Sequence, residues 1–391
     1  MSSSSKWPGL PSGVESRTLK INDLEMHILE ALPTNSVGAS MLIILLHGFP
    51  ELAYSWRKVM RPLADAGYHV VAPDQRGHGR TKSSAQEAES PIKYTDDTTP
   101  FRMTNLVKDV VALVYTLGYQ SAAAVVGHDF GSPVAAYCAL IRPDIFACVV
   151  MMSSPFTGPP RLSLPNGSPP SGPDLPKIAA ALAALDPPRK HYVMYYSTPD
   201  ANAHMTSPPR GLRAFLREYY HVKSADWAPN NPHPLAAPEA AVMAELPHYY
   251  VMGLHETMPE AVHGFGPSAA EIAGNAWLTE EELGVYVAEY GRTGFQGGLN
   301  AYRMTTNAEW QADRELFAGK RIEVPAMFLG GKKDWGTYQY PRAVDAMRGL
   351  ACQKMDDDDF VLIDGAGHWV QQEQSGDVVK ELLRFFKKCA K

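Results

Sequence analysis

Asp129 stands at the centre of a Gly-His-Asp-Phe-Gly segment, residues 127–131, between an apolar run and a helical pattern. Strand, Gly-x-Asp-x-Gly and helix follow one another in a nucleophile elbow, a sharp turn that raises its central side chain above a sheet. The glycines suit such a turn because a Cβ there would clash with the close-packed backbone. A helix N-terminus nearby favours an ionised carboxylate. Asp129 is therefore a candidate nucleophile, and the competing interpretation is that it simply caps the helix.

A carboxylate nucleophile attacks an electrophilic sp³ carbon by displacement and leaves an alkyl ester on the enzyme. Hydrolysis of that ester needs a general base to activate water, an acid to orient the base, and donors that stabilise an oxyanion. Ser132, a second candidate nucleophile, falls inside the predicted helix and would not project from the turn. This placement disfavours a serine esterase.

His368 and Asp334 are the candidate base and orienting acid, because each follows a predicted strand on a Gly-containing loop. Either residue alone is an ordinary loop or turn residue, but the chain order nucleophile, acid, base is that of hydrolases with an elbow. The oxyanion donors are assigned to the backbone N–H groups of Phe49, after the first parallel strand, and Phe130, after the nucleophile. These five residues form the predicted catalytic set.

Six apolar runs predict the strands that position these loops, and none alternates as a half-exposed strand would. The runs are Met41–Leu46, His69–Ala72, Ala122–Val126, Cys148–Met152, Val324–Leu329 and Phe360–Ile363. Because helical patterns lie between them, we expect an α/β fold with a mostly parallel sheet flanked by helices.

Local signals add a hairpin and two helices to this pattern. Arg17–Ile21 and Leu24–Glu30 alternate around a polar Asn-Asp pair, which predicts two antiparallel strands. The helices are expected over Asp377–Lys387 and through Leu106, Val110, Leu113 and Leu117, with Thr104 as the N-cap and Gly118 as the stop.

The chain divides into a sheet core and an insertion. Residues 1–154 and 321–391 carry the strand–helix pattern. Residues 155–320 begin with a stretch rich in Pro, Gly and Ser and continue as a helical, aromatic sequence broken by prolines. We expect this insertion to form a mainly helical cap over the carboxyl end of the sheet, where open α/β sheets bind ligands.

The composition of the chain limits the partners and the cellular location that we expect for the protein. A net charge of −6 and a pI of about 6.1 leave no basic surface for nucleic acid or anionic lipid. The sequence has neither an apolar run long enough to span a membrane nor a secretory signal at its N-terminus. Four scattered cysteines predict reduced thiols and a cytoplasmic location. The acidic run Asp356–Asp359 is expected to be a solvated turn.

Several segments resemble the soluble epoxide hydrolases of the α/β-hydrolase family. Besides the elbow, they are His47–Pro50, Pro73–Gly79, Gly294–Arg303 and Gly367–Trp369. The Gly294–Arg303 stretch is the most specific of them, since the others are shared with relatives such as dehalogenases. The resemblance implies an α/β-hydrolase fold with a helical cap domain and covers the chain from about Val14 to Phe386.

The resemblance also implies an activity and further site residues. Two cap tyrosines donate protons to the epoxide oxygen in that family, and the matching positions are Tyr302 and, by a weaker match, Tyr192, with Tyr195 and Tyr196 as rivals. We expect a substrate pocket lined by His47, Pro50, Trp335 and Trp369. The implied partners are a small hydrophobic epoxide and water, and the implied product is a vicinal diol. The resemblance implies no metal or organic cofactor. A homodimer is a possible assembly.

Alternative functions use the same residues. A haloalkane dehalogenase shares the Asp nucleophile, but that family usually has Trp after the nucleophile and Asn in the first loop, where this chain has Phe130 and Phe49. Trp335 is the one spare indole near the site. A non-catalytic binder of small hydrophobic ligands, or an enzyme in which a substrate hydroxyl replaces water, would also fit the pattern.

Overall fold

The protein is described from a computed structural model that covers residues 7–34, 40–83, 90–162, 175–307 and 312–390. The Pro-rich start of the insertion lies partly outside these ranges, at residues 163–174.

A central sheet organises the described chain. Its strands are β1 (Val14–Ile21), β2 (Leu24–Ala31), β3 (Met41–Leu46), β4 (Tyr68–Pro73), β5 (Lys82–Ser83), β6 (Ala124–His128), β7 (Val149–Met152), β10 (Ile322–Gly331), β11 (Cys352–Lys354) and β12 (Phe360–Ile363), while β8 (Arg189–His191) and β9 (Val251–Gly253) pair separately. The order is β1-β2-β4-β3-β6-β7-β10-β11, with β12 beside β10 and β5 beside β2.

The pairing is parallel from β4 through β3, β6, β7 and β10 to β11 and β12, and antiparallel at β1, β2 and β5. The predicted hairpin is confirmed, since Val14 pairs with Ala31 and Ile21 with Leu24. The predicted mostly parallel sheet is confirmed as well.

Both faces of the sheet are buried, which explains why its strands do not alternate in hydrophobicity. In β3, Leu42 and Ile44 belong to one apolar core, Ile43 and Leu45 belong to the other, and all four are fully buried. Successive side chains of a strand point to opposite faces, so a strand covered on both sides is apolar throughout.

Helices cover the two faces of the sheet. Those of the core are α1 (Arg57–Asp65), α2 (Met103–Thr116), α3 (Gly131–Ile141), α14 (Ala343–Ala346), α15 (Val370–Glu373) and α16 (Ser375–Cys389). Helices α1 and α16 contribute to one apolar core, whereas α2 and α3 contribute to the other. The helix predicted over residues 377–387 is therefore confirmed within α16.

The predicted N-cap of α2 is wrong. The helix begins at Met103, after a 3₁₀ turn over Thr99–Phe101, and Arg102 occupies the cap position without a side-chain hydrogen bond. Thr104 lies inside the helix because the backbone of the turn continues into it, with the Leu106 N–H donating to the Arg102 carbonyl. Gly118 follows the helix with a φ of +87°, as expected for a helix stop.

Between β7 and β10 the described chain is mainly helical. Its helices are α4 (Leu175–Ala183), α5 (Tyr192–Tyr196), α6 (Ala201–Thr206), α7 (Leu212–Lys223), α8 (Ala240–Met243), α9 (Met258–Val262), α10 (Ala269–Gly274), α11 (Glu280–Thr293), α12 (Gln296–Thr306) and α13 (Ala312–Glu315). Buried side chains of α5, α7, α11 and α12 join the apolar core of α1 and α16. No helix in the described ranges is long and apolar enough to cross a membrane.

Candidate active site

Asp129 occupies a strained turn between β6 and α3. Its φ is +51°, a left-handed conformation that costs an L-residue roughly 1–2 kcal/mol. A Cβ on Gly127 would lie 2.0 Å from the Gly131 carbonyl oxygen, so only glycine allows the turn to close. Phe130, not Asp129, is the N-cap residue of α3, and no side chain caps the helix. The interpretation of Asp129 as a plain helix cap is therefore wrong.

The two carboxylate oxygens of Asp129 face different groups. Oδ1 accepts a hydrogen bond from the Phe49 N–H at 2.9 Å, and Oδ2 lies 3.4 Å from His368 Nε2. Gly48 permits this approach, because a Cβ there would lie 2.3 Å from the Cβ of Asp129. The side chain of Asp129 is 15% exposed, whereas that of His368 is 2% exposed. The nucleophile is thus the accessible member of the pair.

His368 is oriented from its other nitrogen. Its Nδ1 lies 3.1 Å from Asp334 Oδ1 and 2.8 Å from the Ser153 hydroxyl, which itself donates to Asp334 Oδ2. Asp334 also accepts the Gly336 N–H at 2.7 Å. Nε2 of His368 has no hydrogen-bond partner among the described residues. The ring therefore presents an unpaired nitrogen toward the space beside Asp129.

Burial and neighbouring charge set the ionisation of this pair. Burial alone would raise the pKa of Asp129, but the ion-pair contact with His368 and the charge of Lys223 hold it well below its ordinary value. For His368, burial lowers the pKa, but Asp334 and Asp129 more than offset that effect and raise it to about 9. The site thus holds an ionised nucleophile beside a protonated imidazole at neutral pH.

Tyr302 on α12 and Tyr192 on α5 lie near enough to Asp129 for its charge to act on both phenols. Their ring centroids are 5.8 Å apart, and Tyr302 also packs 5.5 Å from Phe49 and 6.4 Å from Phe130. Gln339 donates to the Tyr192 hydroxyl oxygen at 3.2 Å, which leaves the hydroxyl proton free to be donated elsewhere. Burial, together with the Asp129 charge, raises the pKa of each phenol well above its ordinary value.

The rival tyrosines are engaged elsewhere. Tyr195 places its hydroxyl 3.3 Å from His204 Nδ1, and the Tyr196 hydroxyl donates to that of Tyr219 at 3.1 Å. By contrast, the Tyr302 hydroxyl has no hydrogen-bond partner within the described part of the chain. The geometry therefore favours Tyr192 over its neighbours as the partner of Tyr302.

The glycine pair before Tyr302 explains how α12 reaches the sheet. A Cβ on Gly297 would lie 1.8 Å from the Gly77 carbonyl oxygen, and one on Gly298 would lie 2.4 Å from the Phe49 ring. Only glycines let the first turn of the helix pack directly on the loop after β4 and on the candidate oxyanion loop. The Gly-Gly pair thus helps to position Tyr302 relative to Asp129.

A buried network joins the three catalytic loops, and the sequence analysis missed it. Glu51 accepts the Gly48 N–H at 2.9 Å and lies 2.5 Å from His128 Nδ1, while His128 Nε2 lies 2.7 Å from the His368 carbonyl oxygen. Glu51 and His128 are fully buried. The sequence signal that could have revealed this network is Glu51, a charged residue directly after the predicted oxyanion loop.

Glu373 fixes the loop that carries His368. Its carboxylate accepts the N–H groups of Gly367 and Trp369, each at 2.9 Å, and that of Ala225 at 2.8 Å. Burial raises the pKa of Glu373 to about 7, although these backbone donors oppose the shift. Glu373, Ser153 and Gln339 carry no local sequence signal for their roles, because each acts through a tertiary contact.

Two of the residues expected in the substrate pocket are buried in the protein interior. His47 and Trp369 have no exposed surface. His47 Nε2 accepts the Gln75 N–H at 3.0 Å, and the Trp369 indole donates to the Tyr220 carbonyl at 2.8 Å. Neither side chain has exposed surface in this structure, and their contribution to a substrate pocket stays a prediction.

The other two expected pocket residues are also buried. Pro50 accepts a hydrogen bond from the Tyr220 hydroxyl at 2.6 Å through its carbonyl. Trp335 is 4% exposed, packs 4.9 Å from the His233 ring, and has an indole N–H without a partner in the described ranges. Ser132 is buried and donates to the Ser154 carbonyl, so it is not placed to attack a ligand.

Within the described ranges, one group of side chains has the spacing of metal ligands. Asp356, Asp358 and Asp359 form it on a surface 3₁₀ turn. Lys388 Nζ lies 2.7–3.1 Å from all three carboxylates, and Arg384 lies 3.4 Å from Asp358 and 3.5 Å from Asp359, so two cations of the chain already offset much of their charge. The group is far from Asp129 in the sequence and contributes nothing to the site described above.

Comparison with known proteins agrees with this geometry. The family described as alpha/beta hydrolase fold matches residues 42–187. Epoxide hydrolase A of Mycobacterium tuberculosis is 34% identical over 374 residues, which cover 94% of this chain and 96% of that protein. A solved epoxide hydrolase from an endophytic Streptomyces has a TM-score of 0.74 at 30% identity, with 96% of each chain covered.

A second solved structure is similar. Epoxide hydrolase A from Mycobacterium thermoresistibile has a TM-score of 0.71 at 33% identity and covers 96% of this chain and 98% of its own. The sheet and the elbow place this protein among the α/β hydrolases. Within that class, the chain belongs to the epoxide hydrolase family. The predicted fold class and the resemblance are confirmed.

Proposed function

We propose that this protein hydrolyses an epoxide to a vicinal diol through a covalent ester on Asp129. One observation carries the proposal. The nucleophile has one oxygen held by a backbone N–H and the other 3.4 Å from an imidazole nitrogen, and its charge acts on the phenols of Tyr192 and Tyr302. The membership of the chain in the epoxide hydrolase family supports the same reaction.

In the first step, Oδ2 of Asp129 bonds to a ring carbon while the bond between that carbon and the epoxide oxygen breaks. The electron pair goes to the oxygen, which takes a proton from Tyr192 or Tyr302 while the other phenol donates a hydrogen bond. Both phenols have a raised pKa and are protonated at neutral pH. An alkoxide is basic enough to accept the proton, so the donors act where charge develops.

Before the second step, the protonated His368 gives its proton to the tyrosinate, which leaves Nε2 neutral. Water then attacks the ester carbonyl carbon and Nε2 takes its proton. Charge develops on Oδ1, which the Phe49 N–H already contacts and which the Phe130 N–H, at the N-terminus of α3, is assigned to join. The bond between the carbonyl carbon and Oδ2 then breaks. The diol departs with that oxygen and takes a proton from His368, and the regenerated carboxyl group of Asp129 passes its proton to His368, which restores the resting site.

The two steps switch the imidazole between roles. Asp129 helps to raise the pKa of His368 to about 9 while its carboxylate is charged. Ester formation removes that charge, so the pKa of His368 falls and the ring becomes a competent base when water must be activated. Asp334 and Ser153 orient the ring in both steps.

Three further parts of the proposal concern architecture and setting. Residues 155–320 act as a cap because helices α5 and α12, which carry the two tyrosines, lie within them. The four free cysteines support a reducing, cytoplasmic setting. A homodimer is the proposed assembly, to be tested by light scattering.

Product analysis tests the activity. The purified protein should convert an alkyl or aryl epoxide to its diol, and should release no chloride from a chloroalkane of similar shape. Asp129→Ala should form no diol, while Ser132→Ala, a hydroxyl deletion close by, should retain most of the rate. Chloride release without diol formation would favour a dehalogenase, and turnover of neither compound would favour a ligand-binding protein.

A further inference from the structure

A buried ammonium group lies beside the proposed site and takes no part in the mechanism above. Lys223 is the last residue of α7 and is 4% exposed. Its backbone carbonyl accepts the His368 N–H at 2.8 Å, which ties it to the catalytic loop. Its charge acts on both Asp129 and His368, lowering the pKa of each.

Aromatic faces surround the ammonium. Nζ lies 4.6 Å from the ring centroid of Tyr250, 5.3 Å from that of Tyr219, 5.6 Å from that of Tyr249 and 5.8 Å from that of Tyr192. A cation over an aromatic face is attracted to the ring quadrupole within about 6 Å. Tyr192, one of the four, is also a proposed proton donor, so the ammonium lies at the edge of the reaction space.

The hydroxyls of three of these tyrosines are hydrogen-bonded to other side chains. The Tyr249 hydroxyl donates to Asn230 at 2.8 Å, and those of Tyr192 and Tyr219 accept from Gln339 and Tyr196. Within the described ranges, no carboxylate pairs with Lys223 and no oxygen accepts a hydrogen bond from its Nζ. A buried ammonium normally finds such partners, since it carries three donors and a charge.

From this unpartnered cation in an aromatic enclosure, we infer that Lys223 selects epoxides that carry a carboxylate group and binds that group during turnover. The inference rests on the proposed epoxide hydrolysis and adds the substrate class. A carboxylate supplies the missing acceptor, and its single charge matches a single cation. The tyrosine faces suit the apolar chain between the carboxylate and the epoxide.

The charge balance of the site supports the same preference. With His368 protonated, Asp129, Asp334, His368 and Lys223 together carry no net charge. Without Lys223 the site is negative and repels an anionic substrate. A neutral epoxide does not experience this repulsion, so the lysine should discriminate between the two kinds of substrate.

A matched pair of substrates tests the inference: an epoxide that ends in a carboxylate, and its methyl ester. Wild-type protein should have the higher kcat/KM for the acid. Lys223→Met should lower kcat/KM for the acid, mainly through KM, by about 10-fold more than it lowers kcat/KM for the ester, because loss of the charge beside Asp129 and His368 affects both substrates whereas loss of the carboxylate partner affects only the acid. Lys190→Met is the control, because Lys190 also lies over a tyrosine, Tyr195, at 5.1 Å but away from Asp129.

Equal kcat/KM values of the wild type for acid and ester, with diol formed from both, would overturn the inference and leave the proposed function intact. An equal loss for both substrates in Lys223→Met would also overturn it, since that result indicates a general structural or electrostatic role. Diol formation from neither compound would remove the proposed function and the inference together. If Lys223→Met does not fold, the inference is tested by the kcat/KM values of Lys223→Gln and of the wild type for the acid and its methyl ester.

Discussion

The N–H of Phe49 donates to Oδ1 of Asp129 at 2.9 Å, so the two carboxylate oxygens of the nucleophile are not equivalent. Oδ1 is held where an oxyanion would be stabilised. Oδ2 faces His368 at 3.4 Å and is left to attack. The proposed mechanism therefore assigns a different role to each oxygen: Oδ1 becomes the oxyanion, and Oδ2 forms the ester bond.

His368→Gln should separate the two chemical steps. Ring opening needs only Asp129 and the tyrosines, whereas ester hydrolysis needs a base, so we expect the alkyl ester to accumulate and hydrolysis to slow by about 100-fold or more. Intact-protein mass spectrometry after mixing with an epoxide would measure the adduct. Asp129→Ala is the control without an adduct, and a His368→Gln variant that turns over at the wild-type rate would contradict the assigned base.

Tyr302→Phe and Tyr192→Phe should each slow ester formation, because each removes a donor to the developing alkoxide; the expected loss is about 100-fold. Pre-steady-state kinetics would measure the alkylation rate constant. Tyr195→Phe is the matched control, since its hydroxyl faces His204. A loss in Tyr195→Phe as large as that in Tyr192→Phe would show that the assignment of the first donor is wrong.

The stability of the fold should depend on pH through His368. Its pKa in the folded state is about 9, above the ordinary value of 6.5, so the native state binds the extra proton. This contribution to the free energy of unfolding is fully present below pH 6.5 and is lost as pH rises through 9.

The corresponding measurement is urea unfolding between pH 6 and 10 for the wild type and Asp129→Ala. The variant lacks one of the charges that raise the pKa of His368, so its stability should fall less over this interval. Groups on which the Asp129 charge does not act, such as Glu373, contribute equally to both curves, so the difference between the curves reports the coupling of Asp129 to its neighbours. A difference that does not change with pH would refute the coupling.

Glu373 should act as a positioning residue for the loop of His368. Glu373→Gln keeps the size of the side chain but weakens its acceptance of three backbone N–H groups, so we expect slower ester hydrolysis, by roughly 10-fold, with little change in ester formation. Single-turnover rates of the two steps would measure this split. Glu381→Gln on α16 is the control, and equal slowing of both steps would indicate general loss of structure.

The strands and the turn at Asp129 could be predicted because their signals are local, while the roles assigned to Asp129, Asp334 and His368 stay predictions. Apolar runs without alternation mark strands buried on both faces, and the glycines around Asp129 mark a turn that no Cβ can enter. Ser153, Gln339 and Glu373 could not be predicted, since each reaches the site from another part of the chain. A motif shows that a residue is close to the site but not which side of the site it occupies, so the pocket role of His47 and Trp369 stays a prediction.

The most direct test of the account is a single turnover in oxygen-18 water with protein in excess over epoxide. We predict that the first diol carries no solvent label, because its new oxygen is Oδ2 of Asp129, and that the label appears in the peptide containing Asp129. Solvent label in the first diol, with none in that peptide, would contradict the covalent mechanism.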